Sequence, residues 1–85
     1  MKSIHYTTKG VCSRAIDIEI EGDVIRSVRF HGGCAGNTQG VAALVRDMPV
    51  REAIARLSGI RCGFKPTSCP DQLATALKQA LEESV

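Results

Sequence analysis

Residues 15–23 read AIDIEIEGD, and the alternation in that stretch constrains the chain more than any other feature of its sequence. Ile16, Ile18 and Ile20 fall on one side of an extended backbone, with Asp17, Glu19 and Glu21 on the other. This is the pattern of a half-buried strand with one wet face. Gly22-Asp23 is turn chemistry, and VIRSVRF, rich in β-branched and aromatic residues, reads as the returning strand. Together they predict a β-hairpin. Residues Ile4 to Thr7 predict a further short strand, followed by a loop from Thr8 to Ser13 that carries Gly10 and Cys12.

After Phe30 the period changes. HGGCAGNTQG reads as a glycine-rich loop, and from Thr38 the apolar residues Val41, Leu44, Val45 and Met48 recur at helical spacing, with Asn37 or Thr38 as N-cap. Pro49 interrupts. A second, short helix follows with the stripe Val50, Ala53, Ile54 and Leu57, and Gly59 is placed to end it. The last helix is expected from about Ser68 to Glu83, burying Leu73, Leu77, Ala80 and Leu81. Ser68 to Asp71 resembles a capping box, and Pro70 is tolerated in the first turn. Strands first and helices second predict an α+β fold: an antiparallel two- or three-stranded sheet followed by three helices packed on one face.

At 85 residues, with 44% hydrophobic and 24% charged, the chain is expected to form one domain over residues 1–85, with a thin core of Ile, Val, Leu and Ala. Chains of this size often gain stability from a metal, a partner or oligomerisation. The segment MKSIHYTTKG contains no apolar run suited to a secretory signal, and no stretch approaches a membrane span, so a cytoplasmic location is expected. A net charge of +2, with Arg26, Arg29, Arg46, Arg51, Arg56 and Arg61 scattered as solvated faces, argues against nucleic acid.

Four cysteines in a reducing compartment point to metal binding or thiol chemistry rather than to permanent bridges. Cys12, Cys34, Cys62 and Cys69 all fall in predicted connections or at an element end, whereas cysteines that fill cores sit within strands and helices. Cys34 and Cys69 precede or open helices. Unpaired N–H groups and the positive dipole end there suit the thiolate that a metal or an electrophile needs. Intervals of 21, 27 and six residues contain no CxxC, so a four-thiolate site needs tertiary assembly. Metal ligation, reactive thiols and structural thiols therefore all stand at this point.

Other constellations are weaker. GGCAGNTQG lacks the Lys-Ser/Thr of a phosphate-binding loop and reads better as a tight turn around Cys34. His31, three residues before Cys34, reads first as a surface histidine and second as a ligand or proton relay. Asp71 reads as a helix-start carboxylate. The sequence contains no Ser-His-Asp order and no paired carboxylates for acid/base work.

FHGGCAGNTQGVAALV, GIRCG and above all TSCPDQLATAL resemble the TSCPD domain family, whose motif stands here as Thr67-Ser68-Cys69-Pro70-Asp71. The resemblance runs from about Tyr6 to Glu82. It implies a small protein similar to the domain at the C-terminal end of adenosylcobalamin-dependent ribonucleotide reductases, with a reductase or a nucleotide as partner. A complete ribonucleoside-diphosphate reductase needs a large barrel, a cobalamin site and a thiyl position, which 85 residues cannot supply, so the resemblance implies an accessory or regulatory module. The order of elements is also similar to iron-sulfur scaffold proteins of the IscU and NifU type. On that likeness Cys12, Cys34 and Cys69 match the scaffold cysteines, but Arg14 and Ser68 replace its acid and histidine, and Cys62 has no counterpart. An added thiolate suits a closed four-cysteine site for zinc or an iron-sulfur cluster, rather than a donor scaffold.

Overall fold

The structure, a computed structural model, describes residues 2–11, 13–32, 35–61 and 67–83. Three strands come first, β1 (Lys2–Thr7), β2 (Ser13–Glu21) and β3 (Val24–Gly32). Three helices follow, α1 (Ala35–Val45), α2 (Val50–Leu57) and α3 (Cys69–Glu83). The sheet is antiparallel in the order β1-β2-β3 and the helices share one of its faces, the α+β arrangement that the sequence predicts. No helix among the described residues is long and apolar enough to cross a membrane.

The core forms because the alternation of β2 turns Ile16, Ile18 and Ile20 toward the helices. There they meet Ile25 from β3, Val45 from α1, Val50 and Ala53 from α2, and Leu73, Ala76, Leu77 and Ala80 from α3. Ile16, Ile18, Ile25, Leu73 and Leu77 are all but inaccessible to solvent. Burying one such side chain contributes roughly 1.5–3 kcal/mol, so five of them carry much of the stability of a chain this short. Alanines at 74, 76 and 80 are buried and keep the inward side of α3 slim where the helix runs close to α2.

Two β-bulges adjust which side chains share a face. Ile20 pairs with Ile25 and Glu19 with Ser27, which leaves Arg26 as an extra residue on β3. That single insertion brings Ile25 onto the same face as Val28 and Phe30 despite the odd spacing. At the other end Ser13 pairs with Gly32 and Ala15 with His31, leaving Arg14 as the extra residue on β2. Without that bulge Ser13 would fall on the wet face with Asp17. With it, Ser13 turns to the helix side and is buried, while Arg14 stays exposed.

Helix α1 departs from the sequence reading. It begins at Ala35, not near Thr38, so Asn37 and Thr38 lie inside it and neither is its N-cap. His31 and Gly32 belong to β3, so most of the expected glycine-rich loop is regular structure. Tertiary packing of Thr38 and Val45 holds the helix in spite of two glycines. Those two buried positions also set the helix's inward direction, and they leave Leu44, expected in the apolar stripe, 76% exposed.

Helix α2 runs as predicted through Leu57 to its cap Ser58, and Gly59 follows with a φ of 85°, the left-handed conformation that commonly closes a helix. Helix α3 begins at Cys69, one residue from the expected start.

Candidate thiol site at the start of the last helix

Of the four predicted ligands, Cys69 lies within the described residues, and Cys12, Cys34 and Cys62 lie outside them. Cys69 opens α3 and is buried, with 5% of its surface accessible. Its Sγ sits 3.2 Å from the hydroxyl of Ser13, itself buried. This contact exists because the bulge at Arg14 rotates Ser13 to the helix side. It joins two residues 56 positions apart in sequence.

The residues around Cys69 form a hydrogen-bonded clamp. The Ser68 hydroxyl donates to the carbonyl of Ile60 at 2.6 Å and accepts the N–H of Asp71 at 3.2 Å, so Ser68 is the helix cap that the sequence predicts. The reciprocal arm of the expected capping box goes elsewhere. The Asp71 carboxylate accepts the backbone N–H of Gly59 at 2.6 Å and the Thr67 hydroxyl at 2.5 Å. The Thr67 hydroxyl, and next the Gly59 N–H, hold the Asp71 carboxyl below its ordinary pKa, because both donate to the charged form. Thr67 in turn accepts from Nε2 of Gln72, whose Oε1 accepts the backbone N–H of Lys9. Gly10, with φ of 72°, turns the chain there, and a Cβ at Gly10 would stand 3.5 Å from Thr67 Cγ2.

These bonds bring sequence neighbours of all four cysteines to one end of the sheet. Ser13, next to Cys12, pairs with Gly32, two residues before Cys34, and touches Cys69. Ile60, two residues before Cys62, is held by Ser68. The Ser68 hydroxyl and the Asp71 carboxylate thus tie Gly59 and Ile60 to the start of α3, Gln72 ties the Lys9 backbone to it, and the Cys69 thiol between them in sequence meets Ser13.

Residues 1–81 match the TSCPD domain as a family. The chain belongs to the TSCPD domain family. No curated protein and no solved structure matches it.

Sequence reasoning on this TSCPD protein missed Ser13, Gln72 and Lys9, because nothing local marks a serine that only a bulge turns inward. It also missed a polar cluster on the sheet face away from the helices. Asp17 on β2 accepts from His5 Nδ1 on β1 at 2.5 Å through one oxygen, and from His31 Nε2 on β3 at 2.6 Å through the other. His31, the second-last residue of β3, is the partly exposed histidine near a strand end that the sequence suggests, and its ring is hydrogen-bonded to Asp17. Its bond first, and that of His5 second, lower the Asp17 pKa. The carboxylate links all three strands. Among the described residues no three His, Cys, Asp or Glu side chains are arranged to hold a metal ion.

Proposed function

We propose that this TSCPD-domain protein is a non-catalytic module that carries a cysteine site formed by Cys12, Cys34, Cys62 and Cys69, which holds zinc or an iron-sulfur cluster. In this reading it serves ribonucleotide reduction by contacting a reductase or its nucleotide substrate. The observation that carries the metal part is the buried contact between Cys69 and Ser13, which sets the thiol of the TSCPD motif beside the neighbour of Cys12. Four thiolates are a donor set suited to zinc or to an iron-sulfur cluster, and a buried position excludes competing water. Ser13, Thr67, Ser68, Asp71 and Gln72 would position the loops, and none of them would be a ligand. The reductase part rests on the family resemblance of the motif.

Elemental analysis and an anaerobic absorption spectrum of the chain and of Cys69→Ser test the site. Near-stoichiometric zinc, or iron with sulfide absorption, that is lost in the variant supports it. Protein free of metal, with all four thiols open to titration under native conditions, removes it. Removal of bound zinc is expected to destabilise the fold by several kcal/mol, because ligand that binds only the native state adds to its stability. Co-sedimentation with an adenosylcobalamin-dependent ribonucleotide reductase tests the partner separately, and absence of binding with and without nucleotide would end that part of the reading.

A further inference from the structure

The two edges of the sheet are treated differently. Beside β3, the connection between α1 and α2 acts as a short fourth strand. Ile25 donates its N–H to the Met48 carbonyl at 2.9 Å, Asp47 donates to the Ile25 carbonyl at 2.7 Å, and Val50 donates to the Asp23 carbonyl at 2.8 Å. Val24 and Pro49 complete the bridge. The left-handed turn at Asp47 and its ion pair with Arg26 hold that cover in place.

Beside β1, no strand among the described residues pairs with the outer edge. The direction of its backbone groups follows from the ladder. Thr8 donates its N–H to the Arg14 carbonyl at 3.1 Å, in register with the β1–β2 pairs. Antiparallel strands turn alternate residues toward each neighbour. Lys2, Ile4 and Tyr6 therefore direct their N–H and C=O groups to β2, and Ser3, His5 and Thr7 direct theirs to the open edge. Natural edges are commonly blunted by proline, bulges or several charges. The register of β1 is unbroken, it contains no proline, and it has a single lysine at its start.

We propose that this edge pairs antiparallel with the same strand of a second copy of the chain, about a two-fold axis at Ile4. The case for a second copy is that β1 is complementary to itself. With Ile4 facing Ile4 of the other copy, Lys2 faces Tyr6 on the helix side and Ser3 faces His5 on the outer side. Side chains stay on their own faces, which a one-residue slip would not allow. No two like charges stand opposite one another. The alternative register shifted by one pleat sets His5 against His5 in place of the smaller Ser3. Ser3 and His5 are both outward-directed, so each such pair exchanges two backbone hydrogen bonds, as a closed isologous interface requires. Ile4 and Tyr6, only half-buried within one copy, would flank the joint and lose exposure there. A continuous six-stranded sheet would result.

Sedimentation of the intact chain over a wide concentration range, with amide exchange read residue by residue, tests this. The expected result is a monomer that becomes a dimer on concentration, with exchange at Ser3 and His5 slowed by about tenfold or more as the dimer fills. Ser3→Pro removes an outward N–H without touching the β1–β2 ladder, and is expected to stay monomeric with an unchanged melting temperature in dilute solution. A monomer at every concentration overturns the proposal. So does a dimer in which the Ser3 and His5 amides exchange as fast as in the monomer, or one that Ser3→Pro leaves intact. Should Ser3→Pro fail to fold, the exchange rates of the unaltered chain decide alone.

Discussion

The Ser13 hydroxyl and the Cys69 thiol meet at 3.2 Å in the interior, one from the first residue of β2 and the other from the first residue of α3. Ser13→Ala leaves the shape of the site and removes one polar partner. It is expected to cost about 1 kcal/mol in chemical denaturation, the usual worth of one such bond. Ser13→Val adds bulk against the sulfur and is expected to cost more, about 1–3 kcal/mol. Equal stability of the Val and Ala variants would show that the site has room to spare.

Asp71 predicts an acid-sensitive clamp. Its carboxyl is held below the ordinary aspartate value by Thr67 and Gly59, so the stabilisation is fully present above that value and is lost as pH falls through the lowered pKa. Asp71→Asn is expected to be less stable than the unaltered chain at neutral pH, by about 1 kcal/mol, with the gap closing in strong acid. Paired denaturation curves from neutral to acid pH check this. A gap independent of pH would mean that charge is not what holds the clamp.

Asp17 titrates in the presence of two imidazoles. Replacing His31 by Asn is expected to raise the Asp17 pKa toward the ordinary value, and by more than replacing His5, because the bond from His31 is the larger cause of the depression. Carbon-detected NMR titration of the side chain reads both. The reverse ranking would assign the dominant bond to β1 instead of β3.

Gly40 lies within α1, and a Cβ there would meet nothing within 4 Å. Gly40→Ala is expected to stabilise the chain by about 0.5–1 kcal/mol, by lowering the entropy of the unfolded state and raising helix propensity. Thermal unfolding should show a rise of a few degrees, and a fall would mean that this helix face is not open.

How much of this was legible in the sequence follows the range of the interactions. The alternation of Ile16, Ile18 and Ile20, the Gly22-Asp23 turn, the α2 stripe and the Ser68 cap are local patterns, so the sequence alone determined the hairpin, the last two helices and the α+β class. The TSCPD motif, also local, determined the family. Where α1 starts was not legible, because burial of Thr38 and Val45 against distant elements outweighs the low helix propensity of its glycines. The tertiary structure decided that Ser13 turns inward to Cys69, that Asp71 reaches back to Gly59, and that one carboxylate joins His5 and His31. The first and last depend on strand register or on a single bulge, and the second on the placement of Gly59 beside the start of α3. A one-residue difference in pairing reverses which face a side chain occupies, and it is set by contacts many residues apart rather than by neighbours along the chain.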